Sequence, residues 1–226
     1  KAIWALAFVV LCSGMAFAIG NASIGTVTQS KYTGITTGEN ITTEGGNVST
    51  ANLTANDSTE KWAGAYGNVS GTLVLAEAGD TVFMYDWTYD VGDGGEVCVS
   101  TASAFSWTPA NLAAAALDDI TTAWGFTDSA DDVNETFDGT PANFDIAGTT
   151  VNTVNTSETG PAVDTFYTGA ITNNGGGTAK DDFAFCVNIN STGVNYKSVS
   201  ANYEVIMPTN EADDTTEDYF FYVELV

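Results

Sequence analysis

The chain contains no arginine and no histidine, and its five lysines face 29 Asp and Glu, for a formal net charge of -24. Each shortage excludes something. Nucleic acid is excluded as a partner, because binding it requires basic side chains against phosphates; anionic membrane surfaces are disfavoured for the same reason. Without imidazole, neither a Ser-His-Asp or Cys-His arrangement nor a His-ligated metal site can be built. Without guanidinium there is no bidentate clamp for an anion. The remaining catalytic chemistry is that of paired carboxylates, as in glycoside hydrolysis. In so acidic a chain any one pair is no signal, and an enzyme is not expected. An acidic surface of this kind keeps copies hydrated and apart except at specific contacts, and it suits salty surroundings that screen the charge.

Cysteine is scarce too, with three residues. Cys98 in EVCVST and Cys186 in FAFCVNIN sit in strand-like runs. They are either two buried thiols or a disulfide, which an exported chain favours. The chain-entropy model assigns such a bridge about 4–5 kcal/mol. Cys12 lies in an apolar run and reads as a small packing residue.

That run is the first nineteen residues, KAIWALAFVVLCSGMAFAI, whose one charged side chain is Lys1. Two readings compete. The basic start, apolar middle and Ala16-Phe17-Ala18 triplet form the pattern of a secretory signal peptide cut after Ala18. Alternatively the segment is kept as a hydrophobic helix, with Ile3, Trp4, Leu6, Phe8, Val9, Val10, Leu11 and Phe17 as its packing residues. The printed chain starts at Lys1 without an initiator Met, which tilts the expectation toward a retained helix. At about 1.5 Å per residue it would span roughly 25–28 Å, close to the ~30 Å hydrocarbon core of a bilayer.

A basic residue followed at once by an apolar helix, with an acidic β-rich domain behind it, resembles the archaeal type IV pilins and archaellins. The resemblance rests on the first twenty residues and on the character of the remainder. It implies a filament whose core is made of packed N-terminal helices and whose β domains face outward. The helix would contact the membrane before assembly. The chain departs from the pattern in the shortness of the run, in Gly14, and in Ala5 where bacterial pilin helices carry an acid.

Nine Asn-x-Ser/Thr sequons occur, at Asn21, Asn40, Asn47, Asn52, Asn56, Asn68, Asn134, Asn155 and Asn190. With eighteen Asn, and Ser plus Thr about a fifth of the chain, chance accounts for roughly four. The excess points to an exported chain with N-linked glycans densest in its N-terminal third.

Three regions are expected: the hydrophobic head 1–19, a Thr/Asn/Gly-rich glycosylated segment 20–70 with an early strand at 24–32, and a β-sandwich domain 71–226. The fold class is mainly β, an Ig-like or jelly-roll-like sandwich with one short helical insertion. A hairpin is expected from GTLVLAE (71–77) and TVFMYDWT (81–88), and further strands over 94–101, 144–146, 149–154, 163–172, 182–190 and 202–207. In 182–190, Phe183, Phe185, Val187 and Ile189 fall on one face and Ala184, Cys186 and Asn188 on the other. Thr108-Pro109 opens a helix to Trp124 with Leu112, Ala116, Ile120 and Trp124 on one stripe. The acidic, Gly-rich loop 90–96 offers carboxylates to Ca²⁺ but lacks EF-hand spacing. It reads as a solvated turn, and no metal or other cofactor is expected. The terminal YFFYVELV must either pair within its own sheet or be lent to a neighbour, since a bare apolar strand aggregates.

The leading expectation is therefore an extracellular, cell-surface filament subunit that polymerises with itself through its head. The alternative is a secreted or membrane-anchored surface glycoprotein of S-layer or binding-module type.

Overall fold

The computed structural model describes residues 19–34, 37–79, 81–127, 129–161, 166–210 and 216–226. The eight proposed packing residues of the head, and Cys12, lie outside them. The chain is mainly β. Its strands are β1 (Gly20–Asn21), β2 (Trp62–Gly67), β3 (Thr72–Leu75), β4 (Tyr85–Thr88), β5 (Gly95–Ser100), β6 (Ala113–Ala114), β7 (Ala142–Ile146), β8 (Thr149–Val154), β9 (Thr156–Thr159), β10 (Phe166–Thr172), β11 (Phe183–Asn188), β12 (Tyr203–Pro208) and β13 (Phe220–Leu225). Two short helices, α1 (Leu117–Trp124) and α2 (Val133–Thr136), interrupt them.

Seven strands form one antiparallel sheet in the order β1-β13-β5-β11-β10-β6, with β9 also on β10. Its centre is dictated by strands that are apolar on both faces. Along β11, Phe183, Phe185 and Val187 enter one core while Ala184 and Cys186 enter another. The period-2 alternation of a strand thus feeds two cores from one run. β5 behaves alike, sending Val97 and Val99 one way and Cys98 the other.

The first core is closed by α1, α2 and the two-stranded sheet of β12 and β2, through Ile120, Trp124, Val133, Phe137, Val205 and Met207. Trp124 sets its ring 5.9 Å from Phe183 and 5.8 Å from Phe185. The second core is closed by the β7–β8 hairpin, through Phe144, Ile146, Val151 and Val154, together with Phe105. Close packing there leaves no room at Gly169 of β10, where an added Cβ would stand 2.5 Å from Phe144.

Several expectations need correction. The segment 24–32 is exposed and forms no strand; within 20–70 the strands are β1 and β2. β2 pairs along β12 from Trp62↔Pro208 to Gly67↔Tyr203, so strand pairing extends into the segment 20–70. The helix expected from Pro109 begins only at Leu117. Pro109–Asn111 is a single 3-10 turn, and Ala113–Ala114 is drawn into the sheet beside Thr172 and Ile171 of β10. Sheet pairing thus overrides the helical preference of the alanine run. Ile120 and Trp124 keep their core positions, Leu112 packs on the second core, and Ala116 is exposed. Two helices replace the one insertion. Gly125, at φ 69°, stops α1 in a left-handed cap. The acidic loop turns on Asp90, whose carboxylate accepts from the Gly92 amide, but Glu96 is buried in β5 rather than solvated.

Cys98 and Cys186, 88 residues apart in sequence, are opposite one another on the neighbouring strands β5 and β11 and are joined by a disulfide. The C-terminal strand β13 pairs within its own sheet, against β5 and β1.

Candidate assembly surface

β13 organises the outer edge of the seven-stranded sheet. On its inner side it lies along β5; on its outer side it holds β1 over only two residues, Gly20↔Val223 and Asn21↔Tyr222, extended by the Ala22 amide donating to the Phe221 carbonyl at 2.9 Å. Ile19, the last residue of the apolar head, packs against the second core. The head therefore joins the fold at the middle of β13. A shallow groove of about 430 Å³ lies beside this junction, lined by Ala22, Ile24, Tyr219, Phe220 and Phe221.

Two residues further along β13, Leu225 abuts Gly71, the base of the β3–β4 ribbon; an added Cβ there would meet Leu225 Cδ1 at 2.3 Å. The ribbon is pinned at this base by the Tyr89 amide donating to the Gly71 carbonyl. Its register sets Leu73 opposite Trp87 and Leu75 opposite Tyr85, so these four side chains share a face. Each of them is close to half exposed, and Val82 and Met84 near the turn are more exposed still. Two-stranded ribbons are marginal in water by themselves, and this one leaves the apolar side chains of that face about half exposed. The sequence pattern located the hairpin, with a longer turn than expected. It missed the exposure, because alternation looks the same whether or not a second layer covers the strand.

Between these two anchor points β13 carries Glu224, whose register partner on β5 is Glu96. Glu96 is 7 % exposed and Glu224 3 %. Burial, reinforced by the charges of Glu224 and Asp145 and a hydrogen bond with Glu224, pushes the Glu96 carboxyl up to about 8. Burial also raises Glu224, opposed by the Ala147 amide that donates to its Oε2 at 2.7 Å. Burial thus favours the protonated form of both carboxyls, which stand as neighbours on adjacent strands. Neither glutamate lines the groove by β13 or the 370 Å³ cavity around Val91, Phe166 and Asn188.

Residues 22–34 and 37–60 are largely exposed and form neither helix nor strand. Gly34 approaches Asn56 and Asp57, and Lys31 meets Glu60 at 2.6 Å, forming a neck. Asn40, Asn47, Asn52 and Asn56 are exposed there, as are Asn21 in β1, Asn68 after β2 and Asn134 in α2. Asn155 and Asn190 differ. Asn155 is half-buried with Nδ2 donating to the Ala115 carbonyl, and the Asn190 carbonyl oxygen Oδ1 is occupied by the Thr192 amide and hydroxyl. Among the described residues, no group of three acidic or sulfur side chains is placed to hold a metal ion, and no helix is long and apolar enough to cross a membrane.

The chain matches no protein-family model, and no similar curated protein or solved structure was found.

Proposed function

We propose that this protein is a structural subunit of an extracellular, pilus-like filament, polymerising with itself through its apolar head and carrying N-linked glycans on its outer face. The observation that carries the reading is the placement of apolar surface. Both faces of the central sheet carry a core built from the described elements, and Ile19, the last residue of the head, packs against the second. The base of the β3–β4 ribbon and the head junction both contact β13, the one at Leu225 and the other at Tyr222 and Val223. Burying each large apolar side chain at a contact between copies is worth roughly 1.5–3 kcal/mol, ample against the repulsion of screened surface charge. The layered arrangement is read as a β-sandwich in which β2 and β12 belong to the second layer. The role is mechanical and adhesive, and the resemblance to archaeal type IV pilins and archaellins belongs with it.

The test is N-terminal peptide mass spectrometry on material taken from cells, with negative-stain microscopy of the same sample. Fibres containing peptides that start at Lys1 support the filament. Globular particles whose chain starts at Ile19 would leave a secreted surface glycoprotein in its place.

A further inference from the structure

Lys180, Asn210 and Glu217 come from three separate places in the chain and meet at one point. Lys180 opens the 3-10 turn leading into β11, Asn210 follows the end of β12, and Glu217 precedes β13. The Lys180 ammonium lies 2.6 Å from Asn210 Oδ1 and 2.5 Å from Glu217 Oε2. It also sits 5.6 Å from the centre of the buried Trp124 ring. The Lys180 side chain is 25 % exposed and that of Glu217 14 %, whereas the Lys31–Glu60 pair on the neck stands open at 55 % and 39 %. A carbonyl bond of about 1.23 Å puts Asn210 Cγ within about 3.8 Å of Nζ, given the 2.6 Å contact to its oxygen. That is close to a near-attack distance for an amine and an amide carbon.

An amine, an amide and a carboxylate held together in a largely enclosed setting are the groups that a transamidation requires. We propose that Lys180 and Asn210 join in an intramolecular isopeptide bond, with Glu217 carrying the proton. Glu217 takes one proton from the Lys180 ammonium and leaves a neutral amine, the nucleophilic form. The amine attacks Asn210 Cγ and a C–N bond forms. Glu217 passes its proton on to Nδ2, the Cγ–Nδ2 bond breaks, and ammonia departs with the remaining lysine proton as ammonium. Glu217 returns to a carboxylate. Nothing is oxidised, and no further reactant is required. The product is a second covalent tie, beside the disulfide, binding the start of β11 to the connection between β12 and β13. It is independent of whether the chain polymerises, and it suits a subunit under tension.

The scarcity of basic residues makes the test simple. A lysine-specific protease releases residues 181–197 and 198–226 as separate peptides, the latter holding both Asn210 and Glu217. The folded full-length chain is denatured, reduced, digested and examined by mass spectrometry. The expected result is blocked cleavage after Lys180 and a branched product joining 62–197 to 198–226, lighter than its parts by one ammonia. Lys180→Arg should release free 198–226. Glu217→Gln should do the same while keeping the Cys98–Cys186 bridge and a cooperative melt. Cleavage after Lys180 with an unmodified 198–226 peptide from folded wild-type protein would overturn the proposal and leave an ordinary ion pair. Complete crosslinking in Glu217→Gln would overturn it as well.

Discussion

Glu96 and Glu224 face each other across β5 and β13 as register partners, both buried, with the Ala147 amide holding one of them from the β7–β8 hairpin. Like charges directly opposite one another destabilise a sheet, so the arrangement is favoured when the pair keeps a proton. Glu96 rises from the ordinary 4.5 to about 8. Because the folded-state value lies above the unfolded one, the stabilisation is present in full below about 4.5 and is lost as pH rises through about 8. Denaturant titrations at pH 4.5 and pH 9 should differ by a few kcal/mol, with the acid side more stable. Glu96→Gln should flatten that difference, and an unchanged slope in the variant would remove the pair as its cause.

The bridge between Cys98 and Cys186 closes a long loop. Replacing both cysteines by alanine should cost roughly 2–5 kcal/mol, read from the shift in the midpoint of a urea melt. The two alanines keep their strand positions, so far-ultraviolet circular dichroism below the transition should be preserved.

Tyr85 and Trp87 are exposed on the β3–β4 ribbon, with rings 4.7 Å apart. Changing both to serine should leave the folding free energy within about 0.5 kcal/mol per residue, the usual range for surface positions. If the ribbon is a contact between copies, the same change should lower the assembled fraction in sedimentation and microscopy. A loss of stability with unaltered assembly would place the ribbon in the fold's own packing instead.

Seven sequon asparagines are exposed, and Asn155 has its amide nitrogen turned to the Ala115 carbonyl. Glycopeptide mapping of material from the native host should find sugar at the exposed positions, most densely over residues 37–60, and none at Asn155. Asn155→Gln should therefore leave the glycan mass unchanged.

Much of the β architecture was legible along the chain. The run FAFCVN announced a strand with two usable faces, and both faces are filled. The strands at 94–101, 144–146 and 149–154 lie close to where alternation put them. The helix did not. Its alanines have strong helical preference, yet Ala113 and Ala114 complete the edge of β10, and only the last eight residues, to Trp124, wind into a helix. Local preference lost to a partner strand nearly sixty residues away. The early strand at 24–32 failed for a different reason: its alternation is weak, with Ile24 and Val27 on opposite faces of any strand, and both are exposed.

The candidate sites were less legible than the strands. Glu96 looked like the end of a solvated acidic loop, and Glu224 drew no attention within the apolar YFFYVELV. Register alone makes them a buried pair. Lys180, Asn210 and Glu217 belong to no motif, and their meeting depends on how the ends of three strands converge.

By itself the sequence determined which side-chain chemistries the chain lacks, where most strands run, and that the chain is strongly acidic and rich in Asn-x-Ser/Thr sequons. Each of those follows from composition or from neighbours within a few residues, where side-chain period and charge act locally. The tertiary structure decided which alternating faces are covered, which cysteines and carboxylates stand opposite one another, and which apolar surface is left over. Those outcomes depend on register and layering between segments far apart in the chain, and no local pattern carries that information.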